Sequence, residues 1–250
     1  MHPVKAAIKS IANNFGFDIV SVQQSLRKMY PSYEPVYPIA TYSPWNTDKA
    51  FDAAYLKIKH ATLVDKYRCF ELWRLVEQAA KLESGAIIEI GVWRGGTVAL
   101  LGTQAKNCNI KDKVFACDTF TGVVKAGAQD GSYVGGEHAD TSRPAVENLL
   151  SKTMGLDNVE ILQGIFPDET GKAVEHLKFR LCHIDVDVYE SARDVVNWIW
   201  ERMVPGGIIV YDDYGFSSCS GIARQVDEQI PLDDRLVIHN LNGHAIIIKR

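Results

Sequence analysis

Four aspartates in two short runs carry the clearest chemistry in the sequence: Asp185 and Asp187 in His183-Ile-Asp-Val-Asp-Val-Tyr189, and Asp212 and Asp213 in Tyr211-Asp-Asp-Tyr214. Each run closes a short apolar stretch, so each pair stands at the end of a predicted strand. If Asp185, Asp212 and Asp213 converge, carboxylates about 4 Å apart repel by up to roughly 4 kcal/mol per pair at an effective dielectric near 20. Without a cation such a site holds protons or splays apart. Oxygen-only donors, with no histidine or cysteine committed, favour a hard divalent ion: Mg2+ first, with Mn2+ or Ca2+ as alternatives. Asp187 lies two residues beyond Asp185, on the same side of the strand if the pleat continues. From there it is expected to take a proton from a hydroxyl held near the ion, staying out of the coordination sphere itself. Helix capping explains one such aspartate better than it explains four at two neighbouring strand ends.

The second chemical stretch is Ala86 to Thr97, A-I-I-E-I-G-V-W-R-G-G-T. An apolar strand ending at Glu89, a glycine turn and a helical run from Val98 describe a strand feeding a helix. Glycines let the backbone approach a ligand, and the helix N-terminus presents free N–H groups. The spacing Gly91-x-x-x-Gly95-Gly96 is not the dinucleotide fingerprint. A carboxylate beneath the loop, with no pyrophosphate to cradle, suits S-adenosylmethionine, whose amino end is cationic. Asp118 closes the next predicted strand after the one that carries Glu89. An acid there commonly binds ribose hydroxyls, with Thr119 and Phe120 beside the adenosine.

These residues must be positioned by alternating strands and helices. Strands are expected at Ile87 to Gly91, Val114 to Asp118, Val159 to Gln163, Leu181 to Asp185 and Ile208 to Asp212. Helices are expected at Thr97 to Lys106, Arg143 to Met154, Asp168 to Leu177, Ser191 to Met203 and Gly221 to Gln229. Such alternation means a parallel sheet covered on both faces, with ligands beyond the carboxyl ends of its strands. Leu236 to Asn240 and Ala245 to Lys249, joined through Asn242-Gly243, read as a closing antiparallel hairpin. Ahead of this domain, residues 4 to 30 read as short amphipathic helices and Tyr30 to Trp45 as an ordered Pro/Tyr-rich arm, a lid or a surface contact. A helix from about Asp48 to Lys59, capped by Thr47, and a longer one from Thr62 to about Leu82 follow. The division expected is 1–60 for the N-terminal segment and 61–250 for the α/β domain.

Composition narrows the function. A chain of 250 residues with net charge -4 and no basic stripe argues against nucleic acid as a partner. No apolar run suits a membrane span or a signal peptide. Five cysteines, an odd number with no C-x-x-C pair, suit a reducing cytoplasm and buried thiols. Other candidates carry less: His138 sits in a polar loop, His183 reads as a core histidine, and Tyr55-x-x-x-Lys59 precedes the glycine loop, the wrong order for a short-chain dehydrogenase.

The motifs together resemble the macrocin-type (TylF-like) O-methyltransferases of antibiotic sugar tailoring. The matching pieces are E-I-G-V-W-R-G-G-T from Glu89, C-D-T-F-T-G from Cys117, G-I-F-P-D-E-T from Gly164, H-I-D-V-D-V-Y-E-S from His183 and P-G-G-I-I-V-Y-D-D-Y from Pro205, with the Val226-Asp227-Glu228 region. The resemblance implies a class I S-adenosylmethionine methyltransferase fold and Mg2+-dependent methylation of a hydroxyl on a sugar or glycosylated small molecule. It implies metal ligands at Asp185, Asp212 and Asp213 and a general base at Asp187. Cofactor contacts are expected at Thr62, Glu89, Gly91, Arg94, Gly95, Thr97, Asp118, Thr119, Phe120, Gly164 and Asp185. Thr121 stands where the family usually has glutamate, and no proline follows Gly122. The N-terminal segment matches poorly; in the family that part shapes the acceptor pocket and the oligomer. The competing reading is another enzyme on a similar sheet, a nicotinamide-dependent oxidoreductase or a metal-dependent hydroxylase. The incomplete fingerprint and the absence of a 2-His-1-carboxylate triad count against these. A non-catalytic scaffold would need neither Asp187 nor the metal acids.

Overall fold

The computed structural model describes residues 40–250 and 32–36, together with Ile8, Ile11, Ala12, Asn14 and Phe15. Two units are present, Met1–Pro38 and Ile39–Arg250. In the first, the Phe15 amide donates to Ala12 O at 3.0 Å, and Ile8, Ile11 and Phe15 are exposed. The rest of the expected helical stretch 4–30 lies outside the described residues.

The second unit is built on seven strands: β1 (Ala86–Ile90), β2 (Val114–Asp118), β3 (Val159–Gln163), β4 (Phe179–Ile184), β5 (Met203–Tyr211), β6 (Arg235–His239) and β7 (Ala245–Lys249). Their order is β3-β2-β1-β4-β5-β7-β6. β1 pairs in parallel with β2 and β4, β2 with β3, and β4 with β5, while β7 runs antiparallel to both β5 and β6. The largely apolar central strands follow from this: β1 is buried along its whole length, Glu89 included, and can alternate only between two covered faces. Ile87, Leu181 and Val210 point into one core, with Phe51, Leu72, Trp73 and Leu100. Ile88, Cys182 and Ile209 point into the other, with Val195, Ile199 and Val226.

The helices are α1 (Lys49–Ile58), α2 (Lys66–Ala79), α3 (Gly96–Asn107), α4 (Arg143–Asn148), α5 (Tyr189–Trp200) and α6 (Ser220–Asp227). Three local expectations differ. Asp48, not Thr47, caps α1, accepting the Phe51 amide at 2.9 Å, while the Thr47 hydroxyl donates back to Pro44 O. The helix expected over Asp168–Leu177 is a 3-10 turn, Gly171–Val174. Gly171 packs flush against Pro167 and Trp198, where an added Cβ would stand 3.0 Å from Pro167 Cβ and 3.1 Å from Trp198 Nε1. β5 begins at Met203 rather than Ile208, running through Pro205 and a Gly206 at φ +78°.

The division between the units also precedes the one expected after residue 60, because α1 buries Phe51, Ala54 and Ile58 in the core of the second unit. Trp45, at the end of the Pro/Tyr-rich arm, packs edge-on against Tyr67 and Phe70, with ring centroids 5.1 and 5.9 Å away. That end of the arm covers core. All five cysteines are free thiols, and among the described residues no helix is long and apolar enough to cross a membrane.

Candidate active site

A cavity of about 280 Å³ opens beyond the carboxyl ends of β1, β2, β4 and β5. Its glycine-loop wall is set by backbone geometry. Gly91 adopts φ +86°, and a Cβ there would stand 1.7 Å from the carbonyl oxygen of Asp185, so the backbone just beyond β1, lying against that of β4's end, admits no side chain. Asp118 holds the loop in place: its Oδ2 accepts the Val92 and Trp93 amides, both at 2.8 Å, and its Oδ1 accepts the Phe120 amide at 2.7 Å. Thr62, Gly91, Thr97, Asp118, Thr119, Gly164 and Asp185 all line the cavity.

Four other expected cofactor residues are not on this wall. Glu89 is fully buried beneath it, with Oε1 accepting the Thr97 hydroxyl and facing His183 Nδ1 at 3.0 Å. Because Glu89 is the fourth residue of a central strand, it supports the loop from below. Gly95 starts α3 at φ +83° and packs on Val146. Arg94 turns outward to Asp140, at 2.6 Å. Phe120, at φ +57°, packs against the core.

The acidic wall gathers the two aspartate runs. Asp185, Asp212 and Asp213 each offer an oxygen, all within 4.8 Å of one another. Burial pushes the Asp185 and Asp213 carboxyls well above the usual carboxylate range, and the charge of Asp212 pushes both further. Asp213 Oδ2 is buried without a hydrogen-bond partner. Asp212 is different. Burial opposes its charge, but His183, His244 and Arg68 hold it far below the usual range. Its Oδ1 lies 2.9 Å from His244 Nε2 and 3.5 Å from His183 Nε2, and its Oδ2 accepts from the Arg68 guanidinium. Arg68 is anchored in turn by Asp65 at 2.8 Å and lies over the Phe216 ring, 4.7 Å from its centroid.

These residues fit a hard divalent ion. The donor set is all oxygen, two of its three carboxylates are held against each other's charge, and one buried oxygen lacks a donor. Asp212 would share its remaining lone pairs with Arg68, since a carboxylate has about four acceptor sites.

Asp187 reaches the same cavity by another route than a continued pleat. β4 ends at Ile184, the Val188 amide bonds Val186 O at 2.7 Å, and Asp187 itself adopts φ +63°. A non-glycine residue in the left-handed region beside a cavity is the kind of strain that functional sites retain. Burial raises its carboxyl above the usual range, and the Tyr133 hydroxyl at 2.6 Å offsets this only in part.

Tyr133 belongs to residues 119–142, the polar loop after β2, which closes one side of the cavity with Val123, Val124 and His138. The loop is fastened to the glycine turn through Asp140, which accepts Trp93 Nε1 at 2.8 Å and Arg94 Nη2 at 2.6 Å. Sequence reasoning singles out His138 in this loop but not Tyr133, and it misses Arg68, Glu71, Phe216, Cys219 and His244. Arg68 and Glu71 sit on a helix whose apolar stripe reads as core, and no spacing rule joins either to a strand end so distant in the chain. His244 follows the Asn242-Gly243 turn; only the antiparallel pairing of β7 with β5, Tyr211 opposite Ala245, brings it to Asp212.

The family model described as Macrocin-O-methyltransferase (TylF) matches residues 37–240. The chain is 27% identical over 195 residues to mycinamicin III 3''-O-methyltransferase of Micromonospora griseorubida, covering 73% of this chain and 76% of that protein. It is 28% identical over 174 residues to demethyldecarbamoylnovobiocin O-methyltransferase of Streptomyces niveus, covering 64% of each. Over 144 residues it is 28% identical to a rhamnosyl-tetracenomycin C 4'-O-methyltransferase of Streptomyces olivaceus, covering 54% of this chain and 55% of that one. In fold it is similar to the O-methyltransferase NovP, with a TM-score of 0.64 and 23% identity over 76% of this chain and 82% of the other. It is also similar to the calicheamicin methyltransferase CalS11, with a TM-score of 0.62 and 16% identity over 84% and 94%. With the seven-stranded sheet, its antiparallel end and the matched motifs in place, the chain belongs to the macrocin O-methyltransferase family.

Proposed function

We propose that the protein is an S-adenosylmethionine- and Mg2+-dependent O-methyltransferase acting on a hydroxyl of a sugar or glycosylated small molecule. The observation that carries this reading is the convergence of Asp185, Asp212 and Asp213 beside Asp187 in the cavity that the glycine loop borders. When bound, S-adenosylmethionine supplies an electrophilic methyl group and Mg2+ lowers the pKa of a neighbouring hydroxyl.

The residues do the rest. Gly91 and the Asp118-held turn shape the cofactor end, and Thr62, Thr119 and Gly164 border it. Asp185, Asp212 and Asp213 would hold the cation. Asp187 accepts the acceptor's proton, a role its raised carboxyl suits better than an ordinary aspartate would. The covering loop keeps bulk water from the methyl group.

Sugar acceptors are supported by the relatives, whose names carry mycinamicin, novobiocin and rhamnosyl-tetracenomycin substrates. A homo-oligomer built through the N-terminal segment and a cytoplasmic location belong to the same reading. Free thiols support the latter.

The test is transfer of label from methyl-labelled S-adenosylmethionine, with MgCl2, to a panel containing mycinamicin III, demethyldecarbamoylnovobiocin and TDP-rhamnose. Transfer abolished by EDTA and restored by Mg2+ is expected. Asp187→Asn should retain cofactor and metal but lose turnover. Calorimetry showing NAD binding without S-adenosylmethionine binding would end the reading, and full activity in Asp187→Asn would remove Asp187 from it.

A further inference from the structure

Two sets of candidate ligand atoms share Asp213. One is Asp185, Asp212 and Asp213; the other is Asp187, Asp213 and Cys219, and within each set the atoms lie within 4.8 Å of one another. An ion seated at Asp213 is therefore within a small side-chain movement of Asp187. A carboxylate drawn onto a divalent ion is a poorer base, because the positive charge favours its ionised form. An enzyme that uses Asp187 to take a proton must keep it off the ion.

The two oxygens of Asp187 are not equivalent. Oδ1 accepts the Tyr133 hydroxyl at 2.6 Å, and Cys219 Sγ lies 3.8 Å from the same oxygen and 3.9 Å from Tyr133 Oη. Oδ2 faces His138 Nε2 at 4.0 Å, beyond hydrogen-bond length. Both Tyr133 and His138 come from the covering loop, whereas Asp185, Asp212 and Asp213 follow β4 and β5, against whose core residues Tyr133 packs.

We propose that Tyr133 is a positioning residue that keeps Asp187 out of the metal's coordination: its hydroxyl holds Oδ1 toward the covering loop and leaves Oδ2 to take the acceptor's proton. The proposal rests on the reading of Asp187 as a base beside a divalent ion. A phenol suits the task. Burial and the neighbouring carboxylate push its pKa far up, so its proton stays in place as a donor at any working pH. Seating the covering loop thereby becomes the step that sets the base.

The test needs no acceptor. Mn2+ is titrated into the intact protein and followed by the electron paramagnetic resonance of the free ion, for wild type, Tyr133→Phe, Asp187→Asn and the double variant. Phe keeps the ring and releases Oδ1, so Tyr133→Phe should bind Mn2+ about tenfold more tightly as a further carboxylate joins the ion. The gain should vanish in the double variant, and Asp187→Asn alone should match wild type. Equal or weaker Mn2+ binding by Tyr133→Phe overturns the proposal, as does a gain that survives in the double variant or a large loss in Asp187→Asn. Wild type that binds no Mn2+ would overturn the metal reading along with it, whereas wild type that binds and Tyr133→Phe that does not differ overturns this inference alone.

Discussion

His183 Nδ1 lies 3.0 Å from Glu89 Oε1, and neither side chain has any exposed surface. The pair links two neighbouring parallel strands at matched positions, since Glu89 and His183 are register partners. Burial disfavours the charged ring, but the carboxylates of Asp212 and Glu89 outweigh it and raise the His183 pKa to about 9.

That elevation has a sign. An unfolded histidine titrates near 6.5, so the stability His183 contributes is complete below that pH and is lost as pH rises through about 9. Urea denaturation without divalent ions should show stability falling by up to roughly 3 kcal/mol across this window. His183→Gln should flatten that decline, and an equally steep fall in the variant would assign it to another group.

Asp213 predicts the opposite of what a core residue would. Burial and the charge of Asp212 raise its carboxyl, so in the metal-free protein it adds stability only at low pH and loses it as pH rises above the unfolded value near 3.9. Asp213→Asn should be more stable than wild type at pH 7 without metal, by about 1–3 kcal/mol, and should lose the rise in Tm that MgCl2 gives wild type. Thermal melts with and without MgCl2 decide it. A variant less stable in both conditions would show that the carboxylate is structural.

Gly91→Ala should cost about 3 kcal/mol or more, since it combines a left-handed backbone with a collision against the Asp185 carbonyl. A protein that refolds with wild-type urea stability and unchanged S-adenosylmethionine affinity would mean that the chain at Gly91 can move away from the Asp185 carbonyl at little cost.

Asp140→Ala should leave Tm close to wild type, because Asp140 is solvent-exposed, yet release the covering loop. Hydrogen exchange should quicken across residues 123–142 and little elsewhere. Unchanged exchange there would show that the Tyr133–Asp187 hydrogen bond, the ion pairs of Lys125 with Asp168 and Asp194, and the Tyr189 amide donated to Asp130 suffice to hold the loop.

The parts legible in the sequence are those fixed by local pattern. The end of β2 at Asp118, and of β4 and β5 one residue before Asp185 and Asp212, follow from short apolar runs closed by acid, and the closing hairpin follows from Asn242-Gly243. What escapes is supplied at long range. Arg68 and Glu71 lie on a helix that reads as core, and Arg68 is itself buried among the apolar residues of that helix. Asp187 keeps its place in the cavity although the pleat stops before it, so the expected location and its stated reason part company. Glu89 shows the reverse: a strand-end acid that serves as a buried support. Its one-residue offset from the loop, on a strand covered on both faces, turns its carboxylate inward to His183 rather than up to the cavity.

His244 has one further consequence. It presents Nδ1 to Glu71 at 2.5 Å while Asn242 and Asn240 also donate to that carboxylate, so the turn before β7 is clasped to α2, a helix laid down near the start of this unit. Because β7 lies between β5 and β6, Asp212 has both of its imidazole partners only once β7 has paired with β5, so the charge balance of the acidic wall depends on the docking of that strand.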